Sequence, residues 1–280
     1  MKDLDRLFVK LLALFYAGVC MRRPSAYELI LEKYPSLKSA LLVGINLLLY
    51  RLRSTYSFRI TTISIEPTNI CNLHCTICAQ KVGITRKKGF MSPELVKKLV
   101  RENPSVETFA IAVFGEPTLH KDLFEIIRTI KGGGKRVDIH TNGYRLSDEM
   151  LMGLLSCGVD TLNFSLDALD TNFEAIRGFP YKHLESCIMR AVALKKKFGF
   201  ATQIKIQAVV NEQTYGYMAD ISERWQGIVD SVKFVPYRFF VTNNGKMRGC
   251  VEAWRGGVVG LWDGQVMPCC YDYNGTISIG

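Results

Sequence analysis

TTISIEP at residues 61–67, TFAIAVF at 108–114 and RVDIHTNG at 136–143 are followed by DTLNFSLD at 160–167, TQIKIQAVV at 202–210 and SVKFVP at 231–236. Each run is short and rich in β-branched or aromatic residues, the composition of a strand. Between them stand PELVKKLVREN (93–103), KDLFEIIRTIK (121–131), SDEMLMGLLS (147–156), YKHLESCIMRAVALKKKFG (181–199) and a helical run near 218–225. Strand and helix in strict alternation are the pattern of parallel βα units. Right-handed crossovers curl six such units in one direction, so the fold expected is α/β, a partial parallel (β/α)6 TIM-like barrel.

Working outward, residues 1–60 form a different segment. They hold 10 Lys/Arg against 4 Asp/Glu, more than half of the net charge of +10. Two uncharged runs, LLALFYAGVCM (11–21) and SALLVGINLLLY (39–50), are too short to span a bilayer, which takes about 20 residues. Both end in basic residues, Arg22 and Arg23, then Arg51 and Arg53. A helical segment lying on a membrane surface and a helical pair packed on the barrel are both open readings. No basic pattern with interleaved aromatics points to nucleic acid.

The whole composition, 48% hydrophobic and 22% charged over 280 residues, excludes a disordered chain, a collagen-like fibre and a disulfide miniprotein. Nine cysteines are an odd number and cannot all pair within the chain. The opening MKDLDR carries acidic residues with no small-residue cleavage pattern after it, so a reducing, cytoplasmic setting is expected, with the front segment a candidate peripheral membrane contact.

In a parallel barrel the chemistry gathers at the carboxyl ends of the strands. The unusual residues of this sequence stand there: CNLHCTIC after the first strand, GEP after the second, TNG after the third, SLD at the end of the fourth. Cys71, Cys75 and Cys78 are spaced C-x3-C-x2-C. Three thiolates are one short of a closed structural zinc site, and His74 is cramped between its neighbours as a fourth ligand. An iron–sulfur cluster on three thiolates leaves one iron open to another ligand.

C-x3-C-x2-C on the first βα loop, with the downstream strand-end motifs, resembles the radical S-adenosylmethionine (radical SAM) enzymes. The resemblance implies a [4Fe–4S] cluster on Cys71, Cys75 and Cys78, with SAM chelating the open iron. It implies reductive cleavage of SAM to a 5'-deoxyadenosyl radical, hydrogen abstraction from a peptide or other small polar substrate, and an electron from a flavodoxin- or ferredoxin-type protein. Phe114-Gly115-Glu116-Pro117 is similar to the family's GGEP motif, which holds the SAM amino group, with phenylalanine in place of the first glycine. The same resemblance puts Asn142, Ser165 and Asp167 around SAM, Arg177 on its carboxylate and the Ile77 backbone on adenine. The same chemistry on a lipid or lipid-linked sugar, and a non-catalytic metal-binding module, are the alternatives.

After the last barrel strand, VVGLWDGQVMPCC (258–270) reads as a β-hairpin turning at Asp263-Gly264. Cys250, Gly264 and Cys269 are spaced C-x13-G-x4-C, similar to the opening of the SPASM and Twitch extensions, which carry auxiliary iron–sulfur clusters. The resemblance makes Cys250 and Cys269 candidate ligands of a second cluster, in what would be a truncated start of such an extension. Cys270, adjacent to Cys269, points the other way in extended chain. The organisation expected is a basic, apolar helical segment over 1–60, the barrel over 61–237 and the cysteine-bearing extension over 238–280. The glycine run 131–135 lacks P-loop spacing and reads as a helix-to-strand loop; Cys20, Cys157 and Cys187 read as small core residues.

Overall fold

Strand β1 (Thr62–Ile65) begins a series with β2 (Thr108–Ile111), β3 (Arg136–Thr141), β4 (Thr161–Ser165), β5 (Gln203–Val210) and β6 (Ser231–Pro236), each paired in parallel with the next. The computed structural model describes residues 37–52, 54, 60–236 and 257–280. The apolar run 11–21, Cys20, Arg22, Arg23, Arg53 and Cys250 lie outside the described residues. Among those described, the sheet runs β6-β5-β4-β3-β2-β1-β7-β8 and is not closed on itself, as befits a partial barrel.

The hairpin at the chain end supplies β7 (Gly257–Gly260) and β8 (Val266–Met267), which pair antiparallel around Gly264 at φ 94°. What the sequence reading did not contain is the partner of β7. It lies parallel on the outer edge of β1, Thr62 opposite Gly257 and Ile65 opposite Gly260, so the extension continues the barrel sheet.

Side chains alternate across the strands. Ile63 and Ile65, Phe109 and Ile111, Val137 and Ile139, Leu162 and Phe164, Ile204 and Ile206 are buried in a single core cluster with Ile126, Ile130, Leu154, Ile188 and Trp225 of the helices. Removing one such side chain from water contributes about 1.5–3 kcal/mol. The helices are α1 (Leu37–Arg51), α2 (Ala79–Val82), α3 (Pro93–Glu102), α4 (Leu123–Gly132), α5 (Asp148–Ser156), α6 (Asp170–Arg177), α7 (Tyr181–Phe198) and α8 (Met218–Trp225). Ser92 and Ser147 cap α3 and α5, accepting from the amides of Leu95 and Met150 at 3.2 Å each. The glycine run closes α4 into β3 as a plain connection, and Cys187 is fully buried in the core.

Helix α1 holds the whole of the run 39–50. It buries Leu42, Val43, Leu47 and the polar Asn46 while Leu41 and Leu48 stay exposed, so the run is apolar all round in sequence but one-sided in burial. No described helix is long and apolar enough to cross a membrane. Helices α2 and α6 were not legible in the sequence. Both are too short to show a period, and α6 is fixed by two buried anchors, Phe173 and Ile176.

Candidate active site

The loop after β1 carries the three thiols. Cys75 is buried, while Cys71 and Cys78 are half-buried. They lie near enough to act on one another electrostatically. Burial pushes the Cys71 thiol up to about 11 and raises Cys78 as well. Cys78 caps α2, its sulfur accepting from the Gln80 amide at 3.4 Å. The Gln80 side chain donates through Nε2 to Asn69 O at 2.7 Å and Phe114 O at 2.6 Å, tying the thiol loop to the end of β2. His74 is exposed, and Ile77 packs half-buried against the core.

At the end of β2, Gly115 lies under the thiol loop. A Cβ there would stand 1.9 Å from Thr68 O and 2.9 Å from Ile70 O, so only glycine fits. Val113, two residues earlier, holds φ 84°, a strained value for a β-branched side chain. The buried Glu116 Oε1 accepts from the Thr118 amide (3.2 Å), Thr118 Oγ1 (2.8 Å) and Thr141 Oγ1 (2.8 Å), and Oε2 accepts from the Asn142 amide (2.8 Å). Burial still pushes its carboxyl above the usual range. Pro117 opens a 3-10 turn directly after it. Asn142 Nδ2 donates to Asn72 Oδ1 at 3.0 Å and stands 3.8 Å from Cys71 Sγ, so the TNG turn after β3 reaches the first thiol.

Ser165 is half-buried at the end of β4. Asp167, just beyond, is fully buried: Oδ1 accepts from the Val209 amide at 2.8 Å, and Oδ2 pairs with Arg177 through Nε at 2.7 Å and through Nη2. Arg177 also places Nη1 3.8 Å from Cys75 Sγ. Its guanidinium therefore joins an acid of the fourth strand end to a thiol of the first loop. Burial works against the charged guanidinium, but Asp167 and Cys75 together raise its pKa. The backbone supports the same contact, Thr76 N donating to Ile176 O at 2.9 Å, with α6 stopped by Gly178 at φ 80°.

Sequence reasoning missed a second ion pair. Glu66, at the end of β1, is fully buried and receives Arg86 Nη1 at 3.0 Å and Nη2 at 2.7 Å. Arg86 Nε donates to Tyr273 O at 2.8 Å. This clamp joins the first strand, the segment after the thiol loop and the chain end. Nothing local announced it, because its members are 20 and 187 residues apart. Cys269 is half-buried and Cys270 exposed in that chain end.

The rim thus brings together Cys71, Cys75, Cys78, Gly115, Glu116, Asn142, Asp167 and Arg177. Its donor set fits a group that takes soft thiolate ligands. Asn72 Nδ2, within the thiol loop next to Cys71, is a buried donor with no hydrogen-bond partner. Among the described residues no three His, Cys, Asp or Glu side chains stand close enough to hold one metal ion, so the fit rests on donor chemistry rather than on a formed cage.

The chain is 25% identical over 248 residues to a tungsten-containing aldehyde ferredoxin oxidoreductase cofactor-modifying protein of Pyrococcus furiosus, covering 73% of this chain and 69% of that protein. It is 28% identical over 189 residues to a GTP 3',8-cyclase of Mannheimia succiniciproducens, covering 65% of this chain and about half, 53%, of the cyclase. The fold superposes on Streptococcus suis SuiB, solved with its precursor peptide SuiA, with a TM-score of 0.64 at 14% identity over 86% of this chain and 65% of SuiB. The Radical SAM superfamily, enzymes that use a [4Fe–4S] cluster and SAM, matches residues 65–223, more than half of the chain. The chain belongs to the Radical SAM superfamily.

Proposed function

We propose that Cys71, Cys75 and Cys78 hold a [4Fe–4S] cluster, that SAM binds on the same rim, and that the protein abstracts a hydrogen atom from a polar substrate, foremost a peptide. One observation carries this reading. Residues from the ends of β2, β3 and β4 converge on the thiol loop after β1 in two bonded sets, one reaching Cys71 through Asn142 and the other reaching Cys75 through Arg177. When bound, the cluster and SAM supply a 5'-deoxyadenosyl radical.

The chain's own residues bind and orient. Glu116 Oε2 has one donor and keeps acceptor capacity for an ammonium group. Gly115 lets backbone come close, and Pro117 fixes the turn that follows. Arg177, held by Asp167, presents a guanidinium for a carboxylate. Asn142 and Ser165 offer neutral partners for hydroxyl groups, Asp167 stands behind Arg177, and the Ile77 backbone lines the loop for a planar base.

A peptide substrate is supported by the likeness to SuiB, which has been solved with a precursor peptide. An electron would come from a flavodoxin- or ferredoxin-type protein. Cys269, with Cys250, would hold a second cluster in a SPASM-like extension.

The test is anaerobic reconstitution followed by iron and sulfide analysis, paramagnetic resonance of the reduced protein, and 5'-deoxyadenosine release with SAM and dithionite. About four irons per chain, abolished when Cys71, Cys75 and Cys78 are all changed to Ala, support the barrel site alone. About eight, half surviving the triple change, support the second cluster as well. No iron, or no 5'-deoxyadenosine from the wild type, overturns the proposal.

A further inference from the structure

The second face of the sheet has a composition that a packed barrel interior lacks. A closed parallel barrel fills its interior with layers of branched apolar side chains, and its strands read as nearly continuous hydrophobic runs. Here β3, β4, β5 and β6 alternate instead. The face opposite the helix-covered core carries Asp138 and His140, then Asn163, then Lys205 and Gln207, then Lys233.

The register aligns them. His140 lies opposite Asn163 and Asn163 opposite Lys205, while Ser165 lies opposite Gln207 and Gln207 opposite Lys233. The side chains meet across these rungs. Asn163 Nδ2 stands 3.5 Å from His140 Nε2, Lys233 acts electrostatically on His140, and Lys205 acts on both Asp138 and Asp230. Asp138 Oδ1 is buried with no hydrogen-bond partner in the structure. Lys233 is two strand spacings, about 10 Å, from Ser165 and thus beside the rim site.

Burial and Lys233 lower His140 to about 4, so it is neutral at pH 7 and adds hydrogen-bonding capacity without charge. The cations the argument uses on this face are Lys233, beside the rim, and Lys205, which already acts on the carboxylates Asp138 and Asp230.

We infer that this inner face binds an oxyanion of the substrate, a carboxylate or a phosphate, through Lys233 and Lys205, with Gln207, Asn163 and His140 as neutral partners. The inference rests on reading the rim as the site of radical generation. A bound anion here lies next to that rim, and the unpartnered Asp138 Oδ1 accepts from a hydroxyl or amino group on the body of the same substrate. The class is a polar substrate that carries an anionic group and at least one donor.

The test titrates pyrophosphate and succinate separately into the full chain at low ionic strength by calorimetry. The variants are Lys205→Gln, Lys233→Gln and Lys233→Arg, with the exposed Lys98→Gln of α3 as control. The wild type should bind at least one probe. Each Lys→Gln change in the inner face should weaken it roughly tenfold or more, the worth of a charged hydrogen bond. Lys233→Arg and Lys98→Gln should stay within about threefold. Tighter pyrophosphate binding assigns a phosphorylated substrate, tighter succinate binding a carboxylate.

A readout on unmutated protein guards against misfolded variants: either probe should slow acetylation of Lys233 by a water-soluble reagent, followed by mass spectrometry. No binding to the wild type, equal weakening by Lys98→Gln, or unprotected Lys233 overturns the inference. SAM cleavage by the same reconstituted samples separates the two claims. Cleavage without lysine-dependent anion binding sinks only this inference. Lysine-dependent binding without cleavage sinks the reading of the rim and leaves the anion site standing.

Discussion

Replacing Arg86 by Met should destabilise the protein by about 3–5 kcal/mol, the range for removing one partner of a buried ion pair. The components are visible. Glu66 is fully buried and loses two charged hydrogen bonds, at 3.0 and 2.7 Å, while Tyr273 O loses its donor at 2.8 Å. Charged hydrogen bonds contribute about 1.5–3 kcal/mol each, and the flexible methionine recovers part of the packing against Phe114. Burial already raises the Glu66 carboxyl, the Arg86 bonds and charge pulling it back. Without Arg86 its folded pKa rises further above the unfolded value. The folded variant then binds the proton more tightly than the folded wild type, so its deficit grows as pH rises past the wild type's own raised Glu66 pKa and is smaller at pH 5 than at pH 8. Glu66→Gln combined with Arg86→Met removes the orphaned charge, so the double variant should be more stable than the sum of the singles by about 2 kcal/mol or more. Guanidinium denaturation followed by circular dichroism, at unchanged slope, reads all four corners of the cycle. A loss below about 1 kcal/mol, or strict additivity, refutes the reasoning.

Three further outcomes follow from the same structure. Gly115→Ala drives a methyl into Thr68 O and Ile70 O and should cost about 3 kcal/mol; wild-type stability would show that the backbone yields freely there. Phe173→Ala empties a fully buried site edge-on to Phe179 at 5.0 Å. It should cost about 3–5 kcal/mol and lower the iron retained on reconstitution, because α6 carries Arg177 to Cys75, and unchanged iron content would unlink the two. His140 is held neutral, its folded pKa of about 4 lying below the unfolded 6.5. The unfolded chain therefore binds the extra proton, and stability falls as pH drops from about 6.5 to 4, by up to about 3 kcal/mol. Urea denaturation at stepped pH should show a flatter profile for His140→Gln, and an identical profile would refute the assignment.

The sequence by itself determined what local chemistry can determine. Short runs rich in β-branched and aromatic residues, such as RVDIHT and TLNFS, read as strands, and their alternation with helical runs pointed to parallel pairing. In parallel pairing all carboxyl ends share one rim, so the CNLHCTIC, GEP, TNG and SLD segments were bound to meet. The hairpin at Asp263-Gly264 was legible because a tight turn has its own residue chemistry. The tertiary structure alone decided the partners. Arg177 joins Asp167 to Cys75 across 102 residues, Arg86 reaches Glu66 and Tyr273, and β7 chooses the free edge of β1. It also decided that the polar half of each strand faces inward as a row of lysines and amides, a face that one-strand periodicity marks as polar without saying what lies opposite. The physical reason is that backbone propensity and hydrophobic period act over a few residues. Ion pairs and edge pairings are settled by which atoms the folded chain brings together.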